Sequence, residues 1–191
     1  MMKTMLAFLF VCACAFKTDS NTIDKNEAKA AFLLINQIRS NPAAYSKTIG
    51  IDLSYIKALP ALRWNDTLAR AAEAKALDMA NRNYFGHVNP DGFGMNYFIN
   101  KAGYTLLPDW LDDNKKNFFE SIQAGSPTGE EAVKYLILDA NTPSLGHRKH
   151  LLGIGDWNAG LVDIGIGFVK VADGQAKYKT YTSILIAKHT W

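Results

Sequence analysis

Cysteine is the most telling scarcity. The 191-residue chain has two, Cys12 and Cys14, and both lie in its apolar first segment. The remainder cannot close an internal disulfide, so packing alone must hold it together. That is unusual for an exported eukaryotic domain and ordinary for a bacterial one. Long apolar runs are missing too, since none reaches the roughly 20 residues of a membrane-spanning helix. Charge of one sign is not in excess. Lys and Arg number 21 against 18 Asp and Glu, a net +3, and the lysines are scattered rather than striped. This excludes nucleic acid as the expected partner. Neither a His-Glu-x-x-His helix nor a Gly-x-Ser-x-Gly elbow occurs, so the simplest metalloprotease and serine-hydrolase signatures are absent. There is no internal repeat and no low-complexity run.

What is present is a globular composition, 48% hydrophobic and 20% charged, long enough for one domain with a substantial core. The first segment stands apart. Lys3 is its single charge, and Met5 to Phe16 form about twelve apolar residues, within the roughly 7–15 of a signal-peptide apolar region. Ala13-Cys14-Ala15 suits a small-residue cleavage site, which predicts a signal peptide over residues 1–15. A second reading is a lipoprotein signal in which Cys14 is acylated, leaving the domain tethered to a membrane by lipid chains alone. A third is a buried apolar N-terminal helix. Residues 16–24 read as a polar linker and 25–191 as the domain.

Helical spacing comes first in that domain. Ala28, Ala31, Phe32, Ile35 and Ile38 recur at three- and four-residue steps and predict a helix over 26–39. Pro42 opens a short helix to Ile49, and 53–59 is a further helical candidate. Asn65 or Asp66 caps a helix to about Arg82, with Leu68, Ala71, Ala72, Lys75, Ala76 and Met79 on its faces. Residues 84–96 are rich in Gly, Asn, Pro and Asp and read as a loop. A helical turn follows over 98–102. Thr128 and Glu131 have the spacing of a capping box, opening a helix to about Asp139. The period then changes to two. Val162, Ile164, Ile166 and Phe168 alternate with Asp163, Gly165 and Gly167, and Tyr178 to Ile186 alternate again after an Asp173-Gly174 turn. The Phe- and Ile-rich patch around Glu120 is the expected third strand. Helices first and antiparallel strands last predict an α+β fold.

Two histidines stand at punctuation points, His87 after a helix and His147 before one. Glu120 sits in an apolar patch between them, and Asp139 ends the helix before His147. Imidazoles bind zinc and similar ions, and carboxylates complete or orient such a shell. The same four groups could perform acid–base work. Spacing alone leaves other readings open: unrelated histidines, Glu120 as a strand-edge charge facing water, and Asp139 as a plain helix end. An acid at a helix C-terminus opposes the helix dipole, which favours a specific role for Asp139. Glu131 is explained as a cap partner. His150 reads as a surface residue beside Lys149, and His189 as a solvated one.

In order, Ile35-Asn36-Gln37-Ile38-Arg39-Ser40-Asn41-Pro42, Leu62-Arg63-Trp64-Asn65, Tyr84-Phe85-Gly86-His87, Phe119-Glu120-Ser121-Ile122 and Pro143-Ser144-Leu145-Gly146-His147-Arg148 resemble the CAP superfamily. This is the SCP, or cysteine-rich secretory, antigen 5 and pathogenesis-related 1, family. The resemblance spans roughly residues 27–187. It implies an α-β-α sandwich with a small antiparallel sheet between helical layers. It also implies a cleft of two histidines and two acids, matched here by His87, His147, Glu120 and, less directly, Asp139. Some members hold zinc or another divalent ion there, which implies one weakly bound metal on His87 and His147. This chain departs from the family's Gly-Glu-Asn-Ile in having Phe119 and Ser121. Phe119 either narrows the cleft or packs into the core.

These readings together predict an extracytoplasmic binding module with a metal-capable cleft. Its ligand would be a lipid, a small molecule or an envelope or extracellular protein. The rival is a metal-assisted hydrolase of peptidase type with Glu120 as base, and a third reading is a structural or adhesive envelope protein. Phe93, Met95, Tyr97 and Phe98 are candidates for an apolar ligand groove, with core packing as the alternative.

Overall fold

The structure, a computed structural model, describes residues 20–172 and 176–188. The first segment with Cys14, the Asp173-Gly174 turn and His189 lie outside the described residues. Two long strands, β4 (Asp163–Lys170) and β5 (Thr180–Ala187), form the centre of the sheet. They pair antiparallel in register from Asp163↔Ala187 to Lys170↔Thr180. β3 (Glu120–Ala124) adds antiparallel to β5 on one side. On the other side two short strands share the edge of β4. They are β1 (Thr22–Ile23), antiparallel, and β2 (Arg63–Trp64), parallel. The spatial order is β1-β4-β5-β3, which leaves β3 at the far edge.

Alternation along β4 decides what lies on each face. Successive side chains point to opposite sides of a strand. Ile164, Ile166 and Phe168 join a core shared with Ala31, Ile35 and Ile38 of α1 (Lys25–Ser40) and Val133, Leu136 and Ile137 of α5 (Gly129–Leu138). The intervening Gly165 and Gly167 lie beneath α3 (Asp66–Asn81). A Cβ on Gly165 would run into the backbone of Leu68 and Ala69, and one on Gly167 into the backbone of Ala72. The helix thus rests on bare strand backbone, and its alanines make that approach possible. Helices on both faces of the sheet give the expected α-β-α sandwich.

Caps follow the expected chemistry. Asp24 accepts from Asn26 and Glu27 N–H at 3.0 and 3.2 Å, and Asn65 accepts from Thr67 and Leu68 N–H at 3.0 Å. Thr128 accepts from Glu131 N–H, but the Glu131 carboxylate turns to Lys134 at 2.8 Å. The capping box is therefore only half formed. Pro42 opens a 3₁₀ turn (Pro42–Tyr45) that runs into α2 (Ser46–Ile49).

Several expectations need correcting. Residues 53–59 form a turn and an extended stretch, not a helix, with Leu53 buried and Ile56 N–H closing on Leu53 O. Leu53 and Ile56 serve the core there without repeating a helical face, and Tyr55 is exposed. Residues 22–23 form β1 within the stretch read as linker, and nothing in the local pattern announces β2. Strands of two residues are too short to show a period. α4 (Met95–Lys101) starts earlier than the turn expected over 98–102.

If α3 depends on bare backbone beneath it, Gly167→Ala should cost about 1–3 kcal/mol by overpacking. Gly160→Ala, at an ordinary φ of −79° with contacts no closer than 3.5 Å, should leave stability unchanged or slightly raised. Urea unfolding of both variants measures the difference.

Candidate functional site

β3 carries Glu120 at its first position, and the chain places an imidazole from each helical layer beside that strand's edge. His87 hangs on the loop after α3. Its Nδ1 lies 2.9 Å from Glu120 Oε2. His147 sits in the first turn of α6 (Gly146–Leu152), with Nδ1 2.8 Å from Asp139 Oδ1. The two pairs share one design. The carboxylate side chains are 0% and 2% exposed, whereas the His87 and His147 side chains are 40% and 27% exposed. A carboxylate accepts the Nδ1 proton, so each neutral ring keeps its Nε2 lone pair on the free side. His87 and His147 line the same two adjoining cavities, of 510 and 360 Å³. The structure thus brings His87, Glu120, Asp139 and His147 to one cleft. Glu120 faces its partner rather than water.

Each acid is held by more than its histidine. Ser183 Oγ donates to Glu120 Oε1 at 2.8 Å, so both carboxylate oxygens are engaged inside the sheet. Asp139 terminates α5 in the left-handed region at φ 48°. This turns its carboxylate onto the next helix, where it accepts from His147 N–H at 3.0 Å and Arg148 N–H at 3.2 Å. An acid that seemed misplaced at one helix's C-terminus is well placed at another's N-terminus. Arg148 answers in the opposite direction. Its guanidinium donates to Ile137 O at 2.7 Å and Leu138 O at 2.6 Å, satisfying carbonyls at the end of α5. Burial acts to raise the Asp139 pKa, but the hydrogen bonds from His147, Thr142 and Arg148 outweigh it and hold the group below the usual range.

The His87 loop has its own anchor. Lys75 points inward from α3 and is 4% exposed. Its ammonium donates to Gly86 O at 2.6 Å, His87 O at 3.1 Å and the Tyr84 hydroxyl at 3.2 Å. The Tyr84 hydroxyl donates in turn to Asp78 at 2.6 Å. Burial lowers the Lys75 pKa, while the charges of Glu120 and Asp78 act to raise it. Sequence reading placed Lys75 on a helix face without a role. The usable signal was a lysine at an inward position among alanines.

His150 corrects the expectation of a surface residue. It is buried, with Nδ1 2.8 Å from Ser121 Oγ and Nε2 3.4 Å from Ile186 O. The carbonyl can only accept, which assigns the proton to Nε2 and makes Ser121 the donor to Nδ1. Burial, opposed by the hydrogen bond to Ile186 and helped by the nearby Arg39 charge, pushes the His150 pKa down to about 4. Phe119 packs into the core at 0% exposed, 5.2 Å from Trp110 and stacked at 5.8 Å on Trp157.

Of the four candidates for an apolar groove, one is corrected. Met95 is fully buried in the core. Phe93, Tyr97 and Phe98 stack on one another, with Phe93 and Tyr97 4.4 Å apart and Tyr97 and Phe98 5.2 Å apart. Phe98 lines a separate 470 Å³ cavity and Tyr97 another of 130 Å³. None of the four borders the cavities that hold His87 and His147.

Comparison with known proteins places these features in a family. The model of the cysteine-rich secretory protein (CAP) family matches residues 32–185. The chain belongs to the CAP family. It is 31% identical over 159 residues to the uncharacterized protein YkwD of Bacillus subtilis (strain 168), covering 80% of this chain and 53% of that protein. The chain thus spans about half the length of that relative. A solved extracellular protein containing an SCP domain, from Bacillus anthracis str. Ames, superposes with a TM-score of 0.57 at 25% identity. That match covers 86% of this chain and 41% of the other. An outer surface protein of Borrelia burgdorferi shares the fold, with a TM-score of 0.56 at 18% identity over 88% of this chain and 99% of its own.

The buried imidazole sets a pH dependence. A histidine whose pKa falls from about 6.5 unfolded to about 4 folded takes up its proton more readily in the unfolded chain. Its stabilising effect is fully present above about pH 6.5 and is lost as the pH falls toward 4. Within that window its loss should approach at most about 1.4 kcal/mol per pH unit. His150→Gln should flatten the decline. Thermal melts from pH 7.5 to 4 check this, and identical slopes would show that His150 does not carry the effect.

Proposed function

We propose that the chain is an extracytoplasmic binding module whose cleft presents the free Nε2 edges of His87 and His147 to its ligand. The observation that carries this reading is the matched pairing of each exposed imidazole with a buried carboxylate. Two buried anions held by Ser183 and by the α6 N–H groups are a costly way to orient surface histidines unless those rings meet something. The extracellular and outer-surface descriptions of two structural relatives support export. The apolar first segment, with Ala13-Cys14-Ala15 suiting a small-residue cleavage site, supports it too. No helix among the described residues is long and apolar enough to cross a membrane.

The donor set suits one divalent ion such as zinc, and suits it weakly. Two Nε2 atoms backed by carboxylates match the usual outer-shell arrangement of zinc histidines. Among the described residues no group of three or more His, Cys, Asp or Glu side chains is arranged to hold a metal. The remainder of a tetrahedral shell would come from water or ligand. A bound ion would supply Lewis acidity at the cleft floor. The hydrolase alternative asks Glu120 to meet a water molecule. Its side chain is 0% exposed and both its oxygens are engaged, so binding is the better-supported reading.

Isothermal titration with zinc tests the cleft. His87→Ala/His147→Ala should abolish the heat of binding, and Asp139→Asn or Glu120→Gln should weaken affinity about 10–100-fold. Equal affinity in the double variant and the parent chain would overturn the metal site. A peptide and ester panel with chelator controls tests the alternative. Turnover abolished both by chelation and by Glu120→Gln would replace the binding reading with the hydrolase one.

A further inference from the structure

The floor of the cleft is a strand edge with unused backbone groups. Two hydrogen bonds bracket β3, Ile186 N–H to Phe119 O and Gly125 N–H to Thr180 O, both at 3.0 Å. The register between them puts Ser121 opposite Ile184 and Gln123 opposite Thr182 as hydrogen-bonded pairs. The N–H and C=O groups of Glu120, Ile122 and Ala124 therefore point away from β5. Among the described residues no strand lies on that side. Of these outward groups, only Ala124 O finds a partner among the described residues, the Gln123 side-chain amide at 2.8 Å.

Cavities follow this edge along its whole length. The 360 Å³ cavity touches Asn117, Phe118, Glu120 and Ser121, the 510 Å³ cavity Ile122 to Ala124, and one of 720 Å³ Gln123 to Pro127. The second and third share Tyr135 and Tyr178 as walls, and the first and second share His87 and His147. The result is a trough with the two imidazoles astride it.

We propose that this trough binds an extended polypeptide segment of another protein, which pairs with the outer edge of β3 as an added strand. This rests on the cleft being the binding site and names its ligand class. Free N–H and C=O groups recurring every second residue call for a partner that offers acceptors and donors at the same spacing, about 3.3 Å per residue. A peptide backbone does so, whereas a sterol or acyl chain offers neither group. Main-chain pairing of this kind gives affinity with little dependence on side chains. The trough walls, with Tyr135 at 54% exposed beside Tyr178 and Phe85, would then meet the peptide's alternate side chains. The imidazole Nε2 edges would meet a peptide group near Glu120.

The test uses a library of unstructured heptapeptides and the same peptides N-methylated at every second residue, titrated into the full chain. Amide exchange at Glu120, Ile122 and Ala124 is followed by NMR. The expected result is slower exchange at those amides and at least tenfold weaker binding when one alternate set is methylated. Methylation of the intervening set should change little. Ala124→Pro removes an outward N–H without touching the ladder to β5, and should weaken peptide binding while leaving zinc titration unchanged. Binding indifferent to N-methylation would overturn the proposal. So would protection of these amides by chitin oligosaccharides or phosphatidylcholine vesicles but not by peptides, or by self-association of the chain alone. His87→Ala/His147→Ala separates this from the metal reading. Peptide binding without zinc binding in the parent chain would sink the metal site and leave β3 pairing standing.

Discussion

The contact of α3 with bare strand backbone governs the rest of the molecule. Gly165 and Gly167 leave no side chain between β4 and the helix, so α3 lies close against the sheet and Lys75 is buried on it. From there its ammonium ties the carbonyls of Gly86 and His87. The loop after α3 is otherwise a run of turn-forming residues with little buried surface of its own. Its histidine is placed because a helix two turns earlier is placed. A wider gap at β4 would move Lys75, and with it His87, away from Glu120.

The second half of the cleft is fixed by a different device. α5 and α6 meet at a junction where each end satisfies the other's orphan backbone groups. Asp139 accepts from the first N–H groups of α6, and Arg148 donates to the last carbonyls of α5. The same carboxylate orients His147. Orientation of one imidazole is thereby coupled to the angle between two helices, and of the other to a lysine clamp. β3, between them, contributes Glu120 and an unfilled hydrogen-bonding edge. The cleft is a place where two helical layers stop short of covering the sheet.

Much of this was legible beforehand, for identifiable reasons. Long elements declare themselves by period, so α1, α3 and α5 and the strands β4 and β5 followed from spacing, and the caps at Asn65 and Thr128 from residue type. His87, Glu120 and His147 stood out through the ordered motifs around them. Asp139 stood out because its charge opposed its own helix dipole. The failures have equally physical causes. In residues 53–59, Leu53 and Ile56 pack on the core while Tyr55 stays exposed, so the apolar content does not mark a helix. His150, beside Lys149, has the local pattern of a surface residue, yet one side of a short helix faces Ser121 and the sheet. Met95 lies close in sequence to Phe93, Tyr97 and Phe98, although α4 sends it inward.

The sequence by itself determined the class of fold, the membership of the CAP family and the identity of the polar residues worth watching. Periodicity, capping chemistry and motif order are local properties, and they survive without coordinates. Only the tertiary structure decided what those residues do to each other. It paired each imidazole with its own carboxylate, gave Lys75 a task, buried His150 and left the outer edge of β3 without a strand partner among the described residues. Those are contacts across 33 residues for His87 and Glu120, and 63 for Glu120 and Ser183. No local rule of chain geometry reaches that far, because such distances are set by how the layers pack.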